Sequence, residues 1–233
     1  MRQALTIAGR DLRTTYLSAF GIGTTAGFVA LSGVLLVLDL NAGQARLDAW
    51  FASLFVLLGL LAALVTMRSF AEEERAGSLE LLITAPVSTG SVVTGKLLGA
   101  LGVLLVVSAA SVVCPLLVAS MGSPDTGPIL TGYVGVLVVG AAFVSIGLAV
   151  SAATANPLVA ATGTAALLVA LWFGGLLGGG LTGRPRAVLD YLSPASHVTG
   201  FLRGTLGLTD LVYFGSLIVL GAVTAATIVE QRR

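Results

Sequence analysis

The sequence predicts an all-α polytopic membrane protein with six transmembrane helices, and three observations support that class. Hydrophobic residues fill 56% of the 233 positions and charged residues only 10%, against about 25% charged in a soluble domain. That is too little charge to cover a water-facing surface, and the mean hydropathy of +1.02 agrees. Six apolar runs, at residues 20–38, 50–67, 92–121, 129–153, 157–177 and 211–229, approach or exceed the roughly 20 residues that cross about 30 Å of hydrocarbon. Such runs form helices, because lipid offers no partner to an open backbone group and barrel strands would alternate polar with apolar residues. With 30 Gly against 9 Phe, the apolar surface is small-grained and lets helices approach closely.

Residues 1–19 place Leu5, Ala8, Leu12 and Tyr16 at helical spacing, with Arg2, Thr6, Arg10 and Arg13 elsewhere. That pattern suits an interfacial helix along the inner leaflet, its arginines near anionic headgroups; a plain cytoplasmic extension of the first span is the alternative. The first run is too long for a signal peptide and is read as a permanent anchor, although residues 41–45 faintly resemble a cleavage site. Gly23 and Gly27 give it a G-x-x-x-G face suited to helix pairing; Gly95 with Gly99 and Gly174 with Gly178 repeat the spacing. Trp50, at the head of the second run, and Tyr213, in the sixth, read as interfacial anchors. The third run exceeds what a bilayer needs and contains Pro115, which predicts a tilt or kink. Residues 178–210 form the largest outer loop, opening with three glycines and carrying Pro185 and Pro194.

Orientation follows from the basic residues. With both termini inside, eight lie on the cytoplasmic side (Arg2, Arg10, Arg13, Arg68, Arg75, Lys96, Arg232, Arg233) and four outside (Arg46, Arg184, Arg186, Arg203). The sequence therefore predicts an N-in, C-in protein of the cytoplasmic (inner) membrane, with one membrane domain over residues 1–233. Apart from Lys96, placed at the inner end of the third run as a headgroup anchor, the runs contain no Asp, Glu, Lys, Arg or His. This argues against proton coupling and less strongly against sodium, which backbone carbonyls alone can hold. Energy for any active transport is expected to enter from outside the membrane.

Several chemistries fit poorly. A net charge of +1 with no basic face leaves nothing to neutralise nucleic-acid phosphates. Cys114 is the single cysteine, so no internal disulfide forms. Residues 90–97 nearly match a phosphate-binding loop, but Leu97 stands where a magnesium-binding hydroxyl is needed and no buried strand precedes it. Ser193 and His197 are four apart with Asp190 nearby, yet a hydrolase would also need an orienting group and an oxyanion site. A lone histidine makes a poor zinc site. Neither a catalytic residue nor a metal site is expected in this chain.

The loop between the second and third runs is the sharper signal. Glu72, Glu73 and Glu74 open a short helical stretch that Pro86 ends, with Ala76, Leu79 and Ile83 able to share a face. An acidic cluster runs against the basic bias of cytoplasmic loops. The stretch can dock into a partner groove or be a solvated charge run.

Residues 67–87, Met-Arg-Ser-Phe-Ala-Glu-Glu-Glu-Arg-Ala-Gly-Ser-Leu-Glu-Leu-Leu-Ile-Thr-Ala-Pro-Val, resemble the corresponding loop of ABC-2 type permeases. Within them the gliding-motility and nitrous-oxide-reductase-maturation branch is most similar, and the cytochrome c maturation branch is less so. The Gly95-Lys96 pair, Arg10-Asp11-Leu12, residues 151–156, residues 191–204 and 210–214, and the terminal Glu230-Gln231-Arg232-Arg233 also match this pattern. Ala155 departs from the usual glutamate.

The resemblance implies the permease subunit of an ABC exporter. Residues 72–86 would be a coupling helix docking a separate ATPase through Glu72, Glu73, Glu74, Arg75, Gly77, Ser78, Glu80, Leu81, Leu82 and Pro86. Thr154 and Asn156 would make a second cytoplasmic contact. Ser193, Pro194, His197, Arg203 and Gly204 would belong to an outer gate on a re-entrant or short helical segment, and Gly23 and Gly27 to packing between two permease chains of a homo- or heterodimer. Two ATPases carrying ATP and Mg, membrane lipids and an extracytoplasmic accessory protein are the expected partners; nucleic acid is not. A mechanotransmission or assembly subunit that transports nothing, and an ion-coupled secondary transporter, are the rival readings. Thr24, Thr25, Ser108 and Ser111 are polar enough to line a path.

Overall fold

A computed structural model describes residues 2–41, 47–75, 77, 88–122, 125–177 and 183–232. Helix α1 spans Arg2–Leu17, α2 Ala19–Asn41, α3 Leu47–Thr66, α4 Ala71–Arg75, α5 Thr89–Ser111, α6 Val113–Met121, α7 Thr126–Ala152, α8 Pro157–Leu177, α9 Arg184–Leu192, α10 Pro194–His197, α11 Thr199–Leu202 and α12 Leu208–Gln231. Among the described residues six units are long and apolar enough to cross a membrane: α2, α3 with α4, α5 with α6, α7, α8 and α12. They coincide with the six apolar runs, and no strand occurs among the described residues. The protein is an all-α, multi-pass membrane protein.

Helix α7 is the centre of the bundle: 72% of its apolar window is buried, against 17% for α8. Its sequence explains why. A Cβ on Gly132 would stand 2.7 Å from the Phe51 ring, on Gly135 2.9 Å from Phe55, and on Gly140 2.7 Å from Leu104. These glycines are sockets for bulky side chains of α3 and α5. Hydrophobic burial offers little between helices in lipid, so such close packing holds the bundle together. Helix α12 closes the other side, where Gly221 lies against the Ser145 backbone and the Ser145 hydroxyl donates to Leu217 O at 3.2 Å.

The third crossing breaks where Pro115 requires it. Proline has no N–H to give the carbonyl four residues back, which is that of Ser111, and α5 ends there. Val112 N bonds instead to Ala109 O at 3.3 Å before α6 begins. Residues 90–97, the apparent phosphate loop, lie within the first turns of α5, which Ser88 caps.

Helix α1 has a definite seat. Ala4 and Ile7 face Gly95, Ala8 and Asp11 face Gly99, and Leu12 faces Gly102. Since the order is the same on both helices, α1 runs beside α5 in the same sense. The Gly95–Gly99 pair therefore receives the N-terminal helix, not another crossing. Leu5, expected on the apolar face, is 62% exposed. Replacing Gly95 by valine would drive a side chain to within 2.8 Å of Ile7 Cβ and 2.9 Å of Ala4 O. Overpacking of this kind costs about 1–3 kcal/mol, so we expect a lower thermal midpoint in detergent. Gly9, with open space around it, should accept alanine with no loss, and a matched loss in both variants would contradict this packing.

Two expected anchors are core residues. Trp50 is fully buried because its indole N–H finds Ser32 O on α2 at 2.9 Å. Tyr213 is buried with its hydroxyl donating to Leu192 O at 2.6 Å. The four polar residues considered for a path bond within their own helices: Thr24 to Phe20 O, Thr25 to Gly21 O, Ser108 to Leu104 O and Ser111 to Ser108 O. A Cβ on Gly23 or Gly27 would meet no neighbouring element within 4 Å. Ion pairs of Arg10 with Glu73 and of Arg232 with Glu74 bring α1, α4 and the end of α12 to one side of the bundle, here called the terminal face. Helices α9, α10 and α11 lie on the opposite, distal face.

Candidate functional site: an ionic hub on the terminal face

The site is built outward from the turn that follows α3. Phe70 is fully buried, and its N–H and that of Ala71 both donate to Ser151 Oγ on α7, at 3.1 and 3.2 Å. One hydroxyl thus satisfies two of the donors that open α4 and fixes the turn to the central helix. Glu72, Glu73 and Glu74 then fall in the first turn of α4, where the helix dipole favours negative charge.

Each glutamate takes a different partner. Glu72 accepts from Arg68 Nε at 2.5 Å and Nη2 at 2.8 Å, and Arg68 also lies 5.0 Å over the Phe20 ring. Glu73 Oε1 lies 2.9 Å from Lys96 Nζ and 3.5 Å from Arg10 Nη2. Glu74 pairs with Arg232. Lys96, expected as a headgroup anchor, is instead buried, with a side chain only 2% exposed. A buried ammonium needs several partners. It has Glu73, Asp11 Oδ2 at 3.6 Å, Ser69 O at 2.7 Å and the Phe70 ring at 5.0 Å.

At these three positions the acidic helix is therefore not a solvated charge run. It joins α1, α5, α7 and α12. Arg75 is exposed and Gly77 follows with a φ of 68°; Ser78, Glu80, Leu81, Leu82 and Pro86 lie outside the described residues. Thr154 and Asn156 sit in the α7–α8 turn, three and five residues past Ser151. Thr154 Oγ1 accepts from Asn156 N at 3.2 Å, and Asn156 Oδ1 accepts from Leu158 N at 3.0 Å, a cap ahead of Pro157. Through Ser151, the two stretches expected to meet a partner share one anchor.

On the distal face, α10 and α11 form a wedge in the bundle. Phe201 is buried against Gly135, and Thr131 donates to Phe201 O at 2.7 Å. Gly135 is nine residues into α7, about 13 Å from its start at the helical rise. His197 is held on both nitrogens, Nδ1 3.0 Å from Asp210 Oδ1 and Nε2 2.9 Å from Tyr191 O, with its ring stacked 3.9 Å from Tyr213. Ser193 stands just before Pro194, and its hydroxyl, rather than capping the next helix, donates to Trp172 O at 2.7 Å, so it does not meet His197. Asp190 pairs with Arg186 and does not orient the histidine. Arg203 is exposed, apart from the buried Ser193, Pro194 and His197. Gly204, at a φ of 83°, closes against Pro128.

Asp11, Lys96, Ser151 and Arg232 at the hub, and Tyr191, Asp210 and Tyr213 at the wedge, had no such role in the sequence reading. A charged residue one turn inside an apolar run was the one signal for Lys96. No curated protein matches the chain. The profile of the family described as ABC-2 family transporter protein matches residues 6–229, covering the wedge and all of the hub but Arg232. With its six crossings, the chain belongs to the ABC-2 family of transporters, as a membrane permease subunit.

Proposed function

We propose that this chain is the force-receiving subunit of an ABC exporter, driven by two separate ATPase subunits that dock at residues 72–86 and at the Thr154–Asn156 turn. On this reading the chain is of the gliding-motility and nitrous-oxide-reductase-maturation branch and the terminal face is cytoplasmic, which the excess of basic residues there supports. ATP and Mg stay on the ATPases, and this chain supplies no catalytic group. A second permease chain packs on the open Gly23–Gly27 face of α2.

The observation that carries this reading is the binding of one short acidic helix to four others. A push on the loop beyond Gly77 moves α4, and α4 cannot shift without pulling on α1, α5, α7 and α12. Within the docking stretch 72–86, residues 78–86 meet the ATPase, and Glu72, Glu73 and Glu74 carry the push onward.

The pair Glu74–Arg232 separates these roles. Co-expressed with its ATPase, the Glu74→Arg variant should keep the ATPase bound but lose permease-dependent ATP turnover about fivefold or more, the lower end of typical coupling energies. The swap Glu74→Arg with Arg232→Glu should restore it. If Glu74→Arg releases the ATPase and the swap does not recover it, Glu74 is a docking residue instead. If neither binding nor turnover changes, the hub transmits nothing.

A further inference from the structure

Between α1, the start of α2, the α3–α4 turn and α5 lies a cavity of about 480 Å³, within the size range of small-ligand sites. Its lining divides by depth. Arg10, Arg68, Glu72 and Glu73 line it on the hub side, and Phe20, Val65 and Val103 line its apolar part. Val65 is one turn deeper along α3 than Arg68, and Val103 two turns deeper along α5 than Lys96. A charged mouth over an apolar floor, at the point where the crossings begin, matches an amphiphile whose polar head sits at the bilayer surface.

The charges define the head. Three basic side chains (Arg10, Arg68, Lys96) face three acidic ones (Asp11, Glu72, Glu73), so the mouth is neutral as a whole yet strongly charged at each point. Arg68 is 42% exposed and gives Glu72 two of its hydrogen bonds, while a guanidinium has five N–H donors. Arg10 is 62% exposed. Both can bind phosphate as well as their carboxylates. Glu72, 44% exposed, keeps lone pairs for an ammonium.

We propose that the cavity binds the headgroup of an amine-bearing zwitterionic phospholipid, its phosphate at Arg10 and Arg68 and its ammonium at Glu72 and Glu73. The acyl chains leave past Phe20 and along Leu17 and Ile22, which are 76% and 62% exposed. Such a lipid bridges α1 to α4 and makes the hub sensitive to the surrounding membrane. The inference does not rest on an ATPase docking to this chain.

Native mass spectrometry of the full purified chain in mild detergent tests it, with phosphatidylethanolamine, phosphatidylcholine and phosphatidylglycerol of identical acyl chains. Phosphatidylethanolamine should be retained about tenfold more strongly, the effect of losing one charge-assisted hydrogen bond. A trimethylammonium cannot donate to Glu72, and an anionic head leaves the carboxylates opposed. Arg10→Gln with Arg68→Gln should abolish the preference. Val65→Phe should do the same by filling the floor without touching a charge, so the idea stays testable if the arginine variant does not fold. Equal retention of the three lipids, or a preference that survives both variants, overturns the proposal. Displacement of the lipid by equimolar glycerophosphoethanolamine would overturn the lipid source and leave a soluble phosphoamine site.

Discussion

Replacing Lys96 by methionine is expected to destabilise the folded chain by about 3 kcal/mol, the low end of what breaking a buried ion pair costs. The ammonium itself is almost fully enclosed, whereas Glu73 and Asp11 retain 21% and 26% of their side-chain exposure. Removing Lys96 therefore leaves the two carboxylates to Arg10, 3.5 and 3.6 Å away, and to the water that still partly reaches them, which holds the loss below the upper end. The second step is more telling. Glu73→Gln in the Lys96→Met background removes one of the two acidic charges that Arg10 is left to balance and should recover part of the loss. Glu73→Gln alone leaves Lys96 facing Asp11 and the Ser69 carbonyl, and should cost less than Lys96→Met. Thermal midpoints of the three variants in one detergent give the comparison. A Lys96→Met midpoint equal to that of the parent would mean the hub contributes nothing to the fold and is present for signalling alone.

The crossings could be read from sequence because each is a local property: an apolar run of the right length is a span whatever surrounds it. The break at Ser111–Val112 was legible for the same reason, since Pro115 withholds its hydrogen bond from a carbonyl four residues away regardless of tertiary context. The hub was not legible. Arg10 and Glu73 are 63 residues apart and Glu74 and Arg232 are 158 apart, and no periodicity connects them. A solvated charge run stayed open for the glutamates because their partners lay elsewhere in the chain. Trp50 was misread by the converse rule: an indole at the head of a span usually seeks the membrane surface, but here the Ser32 carbonyl inside the bundle satisfies its N–H. The central position of α7 was hidden as well. With 30 glycines in the chain, G-x-x-x-G pairs arise widely, and only the structure shows that the sockets at 132, 135 and 140 are filled by α3 and α5 while Gly23 and Gly27 face open space.

Replacing His197 by alanine should unseat the distal wedge, whereas Asp210→Asn should leave it in place. A carbonyl oxygen can only accept, so the proton on Nε2 goes to Tyr191 O. That leaves Nδ1 facing the Asp210 carboxylate, 3.0 Å away. Asparagine at 210 presents an amide N–H to Nδ1 in much the same shape, so both contacts survive without charge. The loss is then mainly the favourable placement of a carboxylate in the first turn of α12, about 1 kcal/mol or less. Alanine at 197 removes two hydrogen bonds and the stack on Tyr213 and leaves Asp210 without its partner, together about 3 kcal/mol. Hydrogen exchange distinguishes the two. His197→Ala should lose backbone protection across residues 190–203 while the inner half of α7 keeps it, and Asp210→Asn should match the parent. Equal loosening in both would show that charge, not the paired geometry, seats the wedge; no loosening in either would assign the seat to Phe201 and the hydrogen bonds of Thr131, Ser193 and Tyr213. The result bears on coupling, because the wedge grips α7 at Thr131 and Gly135 and the hub grips the same helix at Ser151. A movement of α7 started at the hub can reach the distal face only while the wedge remains attached to it.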